Sequence, residues 1–309
     1  MASVTPAADA PSLCTVVGNP ESNFWLFDKN DGWDLTHPST PDGPTVHPRV
    51  QIQTTTAPVT IAPKKTALVI IDMQNLFLSS ALWGKTRGEG HDAEDALLND
   101  AIPAARKAGI QVMHVTWGIS EQELDKIPPV LFRIFGFGEV NSAPPGPGKE
   151  RGGQSGVGKD LGNVQLPDGS TVSAGRLLMR DQFNTALHDP LQQGFDKSQN
   201  DPLPHVRFHK NRLSGFWSGS TSCVKHLQEK GITTLLFAGV NTDQCVLASV
   251  QDASNIGFDT ILLKDGCGTT SPDYTRKMVE FNCRKSWGFV SSCQALKDGV
   301  DNMTSSSLL

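Results

Sequence analysis

The sequence has no surplus of positive charge. Its 27 Lys and Arg stand against 32 Asp and Glu, for a net charge of −5 and no basic block, so neither nucleic acid nor an anionic membrane surface is an expected partner. No apolar run approaches the roughly 20 residues of a membrane span. The opening stretch MASVTPAADAPSLC lacks the basic start and apolar segment of a signal peptide, and the closing SSSLL has no basic residue before its last Leu. A cytoplasmic protein is the expectation. Six cysteines without a CxxC pair read as reduced thiols, not as a disulfide framework. There is no internal repeat.

What is present is an alternation of apolar strands and helices over one large unit. Residues 1–62 are rich in Pro, Thr, Ser and Asp, and are read as an extended N-terminal arm whose Phe24, Trp25, Phe27 and Trp33 pack on the core or on a second subunit. Residues 63–303 form the main domain, followed by a flexible tail at 304–309. TALVIID, ending at Asp72, is a first buried strand, and the helix after it closes at Gly109 with a kink or break at Pro103. IQVMHVTW is the second strand, and the next helical piece is broken by Pro128 and Pro129. A long excursion at 136–205 starts with a Gly/Pro-dense stretch and carries a small hairpin around Pro167, Asp168 and Gly169. HVRFHK, TTLLFAGV, DTILLKD and WGFVSS supply four more strands, with helices between them. This order predicts an α/β fold, a parallel sheet with helices on both faces.

The chemistry gathers at strand ends. TTLLFAGV ends at Val240; Asn241, Thr242 and Asp243 favour a turn and a helix start, and Cys245 falls in the first helical turn. Backbone N–H groups and the helix dipole there favour a thiolate. Taken alone, a cysteine is more often inert packing. Asp72 after the first strand and Lys210 after the third lie on the same sheet edge, where α/β proteins bind ligands. A cation holds a thiolate and a carboxylate shuttles protons, although a capping Asp and a solvated Lys are common too.

TALVIIDMQNLF, FHKNRLSGFW and GVNTDQCVLASVQDASNIGFDTILLKDGCGTTSP, in that order, resemble the isochorismatase-like cysteine hydrolases over roughly residues 63–295. The similarity is greatest to the ureidoacrylate and N-carbamoylsarcosine amidohydrolases. The resemblance implies a three-layer α/β/α fold with a six-stranded, Rossmann-like parallel sheet in the order 3-2-1-4-5-6. It implies Asp72, Lys210 and Cys245 as a catalytic triad, and a cis bond from Val240 to Asn241 that turns the Asn241 and Cys245 N–H groups towards an oxyanion. The activity implied is hydrolysis of a C–N bond in a small amide, ureido or carbamoyl substrate through a thioester, by a homo-oligomer without a cofactor. Nicotinamidases carry an Asp-x-His metal motif near the second strand, where this chain reads TWGISEQELD, so no metal is expected. His205 and His209 are read as framework residues. Asn75, Phe77, Phe216 and Trp217 are the candidates for the substrate pocket, and Arg180 and Asp181 are read as a structural ion pair that could instead reach the site. Vinyl-ether hydrolysis, a redox-reactive cysteine and a binding protein that retains the fold are the alternatives.

Overall fold

The computed structural model describes residues 14–82, 86–136 and 156–303. The first 48 of these do not form an extended arm. β1 (Thr15–Asn19), β2 (Asn23–Asp28), β3 (Gly32–Asp34), β4 (Val50–Ile52) and β5 (Val59–Ile61) make a five-stranded sheet in the order β1-β2-β3-β5-β4. Polar composition suggested an open chain, but the apolar residues are placed where two strands can use them. Trp25 and Trp33 meet edge to face at 5.8 Å and both pack on Phe289 of the main domain. The Trp25 indole N–H also donates to Asp259 at 2.7 Å, and the Lys65 ammonium donates to the carbonyls of Thr36 and His37.

The main sheet contains β6 (Thr66–Ile71) and β7 (Gln111–Trp117). A small hairpin of β8 (Asn163–Gln165) and β9 (Thr171–Ser173) stands apart from it, before β10 (Val206–Lys210), β11 (Thr234–Val240), β12 (Asp259–Gly268) and β13 (Phe289–Ser291). The six strands run parallel in the order β10-β7-β6-β11-β12-β13, which in chain order is 3-2-1-4-5-6. β6, β7 and β11 are buried at every residue, as strands covered on both faces must be. Alternate residues divide between two cores: Val69, Ile71, Val115 and Phe237 on one face, and Leu68, Ile70, Val112 and Leu236 on the other.

The helical run at 89–108 passes through a π-turn, Leu97–Ala101, immediately before Pro103, so the missing proline N–H falls where the hydrogen-bond ladder is already widened. It ends at Gly109, whose φ of 76° suits a residue without Cβ. The helix Asp189–Ser198 inside the excursion was not expected. Its start carries Asp189 and Pro190, and Leu191 is buried against the core. The Gly/Pro-dense part of the excursion at 137–155 and the expected tail at 304–309 lie outside the described residues. Among the described residues, no helix is long and apolar enough to cross a membrane.

Candidate active site

β6 and β11 are neighbours from which the chain leaves in opposite directions along the sheet, a topological switch point. Asp72 follows β6 and Cys245 follows β11, so adjacency in the sheet brings together two residues 173 positions apart in the chain. Gly239 is needed for this approach. Its φ is 117°, and a Cβ there would stand 2.0 Å from the Ile71 carbonyl oxygen. The peptide bond from Val240 to Asn241 is cis. Asn241 stands at the start of a wide π-helical turn, Thr242–Val246, that carries Cys245 and runs on as the helix Leu247–Asn255.

Lys210 is the last residue of β10, two strands away from β6. Its ammonium nitrogen reaches Asp72 Oδ2 at 2.9 Å, and both side chains are shut off from solvent. The same nitrogen donates to the Arg212 carbonyl at 3.1 Å and stands 3.6 Å from the centre of the Trp117 ring. Asp72 Oδ1 accepts the backbone N–H of Trp117 at 3.1 Å. Gln74 braces that segment: its Oε1 accepts the same N–H at 2.9 Å, and its Nε2 donates to the carbonyls of Trp117 and Thr185. The Cys245 thiol lies close enough to both Asp72 and Lys210 for each to act on its ionisation.

These groups share one cation and two acids in a dry site. Burial raises the Asp72 carboxyl above the usual range, and the charge and hydrogen bond of Lys210 only partly offset it. Burial also pushes the Cys245 thiol up to about 12; Lys210 lowers it and Asp72 raises it. Sequence position alone argued for a resting thiolate, but desolvation outweighs the helix start. The site at rest is a Lys210–Asp72 ion pair beside a protonated thiol. One ammonium balances one anion, and the anion can move from Asp72 to Cys245 when a proton moves the other way.

The other expected site residues are scattered. Phe216 is wholly buried, with Phe237 at 5.6 Å and Phe258 at 6.3 Å, in the same apolar cluster as Cys245. Trp217 is 49% exposed, with the Arg212 guanidinium 5.1 Å from its ring centre. Asn75 is tied into the scaffold, its side chain donating to the Phe183 carbonyl and its N–H to that of Ala186. Phe77 packs against both cores. Arg180 and Asp181 do not pair with each other. Arg180 bonds Glu123 at 3.0 Å and the Gly118 carbonyl at 2.7 Å, while Asp181 lines a cleft of about 330 Å³ with Arg207. His205 stacks near His114, with ring nitrogens 3.4 Å apart, and His209 stands beside Thr116. Among the described residues, no three His, Cys, Asp or Glu side chains gather as a metal site. Trp117 and Gln74 were not singled out from sequence. Gln74 lies two residues beyond Asp72, but a fully buried glutamine there gave no local signal of its role.

Residues 168–291 match the Isochorismatase domain family. The chain is 26% identical to ureidoacrylate amidohydrolase RutB of Rhizobium rhizogenes over 239 residues, 76% of this chain and 83% of that protein. It is 28% identical to the RutB of Pseudomonas syringae pv. syringae over 267 residues, 84% of this chain and 94% of that protein. Among solved structures, a cysteine hydrolase from Pseudomonas syringae pv. phaseolicola shares the fold at a TM-score of 0.55 and 14% identity, covering 79% of this chain and 96% of its own. The nicotinamidase PncA from Bacillus subtilis does so at 0.52 and 18%, covering 74% and 99%. Residues 168–291 are thus similar to the Isochorismatase domain, and the chain shares its fold with the cysteine hydrolase and nicotinamidase structures.

Proposed function

We propose that this chain is a metal-independent cysteine amidohydrolase that cleaves a C–N bond of a small ureido, carbamoyl or amide substrate through a thioester. The observation that carries this reading is the buried Lys210–Asp72 pair at 2.9 Å with the Cys245 thiol close to both. A packing cysteine has no use for a desolvated ion pair, whose burial costs several kcal/mol per charge before attraction offsets it.

In the proposed cycle, Cys245 gives its proton to Asp72 as Sγ forms a bond to the substrate carbonyl carbon. Negative charge passes from the carboxylate to the sulfur and then to the carbonyl oxygen, while Lys210 remains the counter-ion throughout. Backbone N–H groups of Asn241 and Cys245 are the proposed donors to that oxyanion. Asp72 then returns the proton to the departing nitrogen, the C–N bond breaks, and ammonia or an amine leaves. Water deprotonated by Asp72 attacks the thioester carbonyl, releasing the acid and the thiol. The ureido class is favoured because ureidoacrylate amidohydrolases are the curated relatives named above. The thiol's upward shift weighs against a redox sensor, which needs a low, exposed thiol.

The test is ammonia release from a panel of ureido acids, carbamoyl amino acids and aromatic amides, with wild type beside Cys245→Ala. Release by wild type and its loss, by at least about a thousandfold, in the variant is the expected result. Equal release by both would remove Cys245 from the chemistry.

A further inference from the structure

We propose that Trp117 is a positioning residue for the triad, its indole face fixing where the Lys210 ammonium stands between Asp72 and Cys245. This rests on the reading of Cys245 as nucleophile. Lys210 and Trp117 are level in register on the neighbouring strands β10 and β7, and Asp72 follows β6, one strand further on. Two strand spacings are about 9.6 Å, so the lysine must reach across β7 to make its ion pair. It does so over the Trp117 ring, with Nζ at 3.6 Å from the centroid, well inside cation–π range.

The ammonium is thereby bounded by Asp72 at 2.9 Å, the Arg212 carbonyl at 3.1 Å and the ring. The ring cannot yield easily. It is fully buried, and Phe135 meets it edge to face at 5.3 Å. Its backbone is held as firmly, by Asp72 and Gln74 on the N–H and by Gln74 on the carbonyl. One residue therefore touches both charges of the pair through different groups: its N–H meets the carboxylate and its π-face meets the ammonium. Replacing the side chain removes only the second contact. A smaller apolar side chain would leave the ammonium free to swing into the vacated space, away from Cys245, and the sulfur would lose the cation that supports its charge.

The experiment is a series at position 117: tryptophan, site-specifically incorporated fluorotryptophans ending with the tetrafluoro ring, Trp117→Phe and Trp117→Leu. The readouts are the pH dependence of Cys245 alkylation by iodoacetamide, followed on the Cys245 peptide by mass spectrometry, and kcat and KM on the panel above. Fluorination keeps the shape and drains the ring face, so the fluoro enzymes should keep their thermal midpoint. Alkylation should slow stepwise, by about tenfold at the tetrafluoro ring and at Leu, with its midpoint displaced upward, Phe intermediate, and the loss in kcat rather than KM. Alkylation at the wild-type rate and midpoint throughout the fluoro series would overturn the proposal. The alkylation series reads the contact between ring and ammonium without turnover. An active Cys245→Ala enzyme would therefore sink the nucleophile reading, and a flat series would sink the Trp117 proposal alone.

Discussion

At the scale of single residues, Asp72 and Cys245 compete for the one ammonium of Lys210, and this gives the two partners opposite signatures. Asp72 raises the Cys245 thiol and Lys210 lowers it. Asp72→Asn is therefore expected to speed alkylation of Cys245 near neutral pH while nearly abolishing turnover, because the proton acceptor is gone. Lys210→Met is expected to slow both. Alkylation rates measured at pH 7 to 10 beside steady-state turnover check this, and equal effects of the two variants on alkylation would contradict shared-proton coupling. The sequence made the three residues legible as polar groups at the ends of apolar runs. It did not make their ionisation legible. A helix start argued for a thiolate, but complete burial, which no local pattern reports, reverses the sign.

At the scale of elements, the edge pair β7–β10 carries a titratable device unrelated to the triad. His114 and His205 are buried, with His114 Nδ1 and His205 Nε2 unpartnered among the described residues. Burial is the first cause lowering His114 to about 3 and His205 to about 4 from the usual 6.5. Folded pKa values below the unfolded value mean that the unfolded chain binds protons first as pH falls. The stability from the neutral pair is therefore full above about 6.5 and is lost as pH drops towards 4 and 3. The loss is on the order of 2 kcal/mol per imidazole between pH 6.5 and 5. Urea unfolding of wild type over that range, beside His205→Gln and His114→Phe, should show a steeper decline in wild type; parallel declines would remove the pair as the cause. The i, i+4 spacing of His205 and His209 was visible in sequence. That His205 would face His114 on the next strand was not, because register is set by strand pairing.

At the scale of the whole molecule, the N-terminal sheet is a structural part of the domain. Leu35, Val50, Ile52, Val59 and Ile61 are each at most 1% exposed and lie in one cluster with Leu68 and Ile70 of β6. Five such side chains contribute about 10 kcal/mol of burial, comparable with the net stability of a typical domain. Deletion of residues 14–62 is expected to give insoluble protein or a chain with no cooperative thermal transition, whereas a merely appended arm would leave the transition intact. Circular dichroism on heating distinguishes the two. Composition misled here because polar linkers and short strands share Thr, Pro and Asp. What separates them is whether Trp25 and Val59 find a surface to bury against.

The sequence by itself determined the strand and helix alternation, the residues at the strand ends and the likeness to a hydrolase family, because periodicity and turn chemistry are local. Only the tertiary structure decided the register of the strands, that Lys210 reaches Asp72 across Trp117, that Phe216 is wholly buried and that 15–61 is a sheet. Those outcomes depend on pairing, burial and desolvation between residues far apart in the chain.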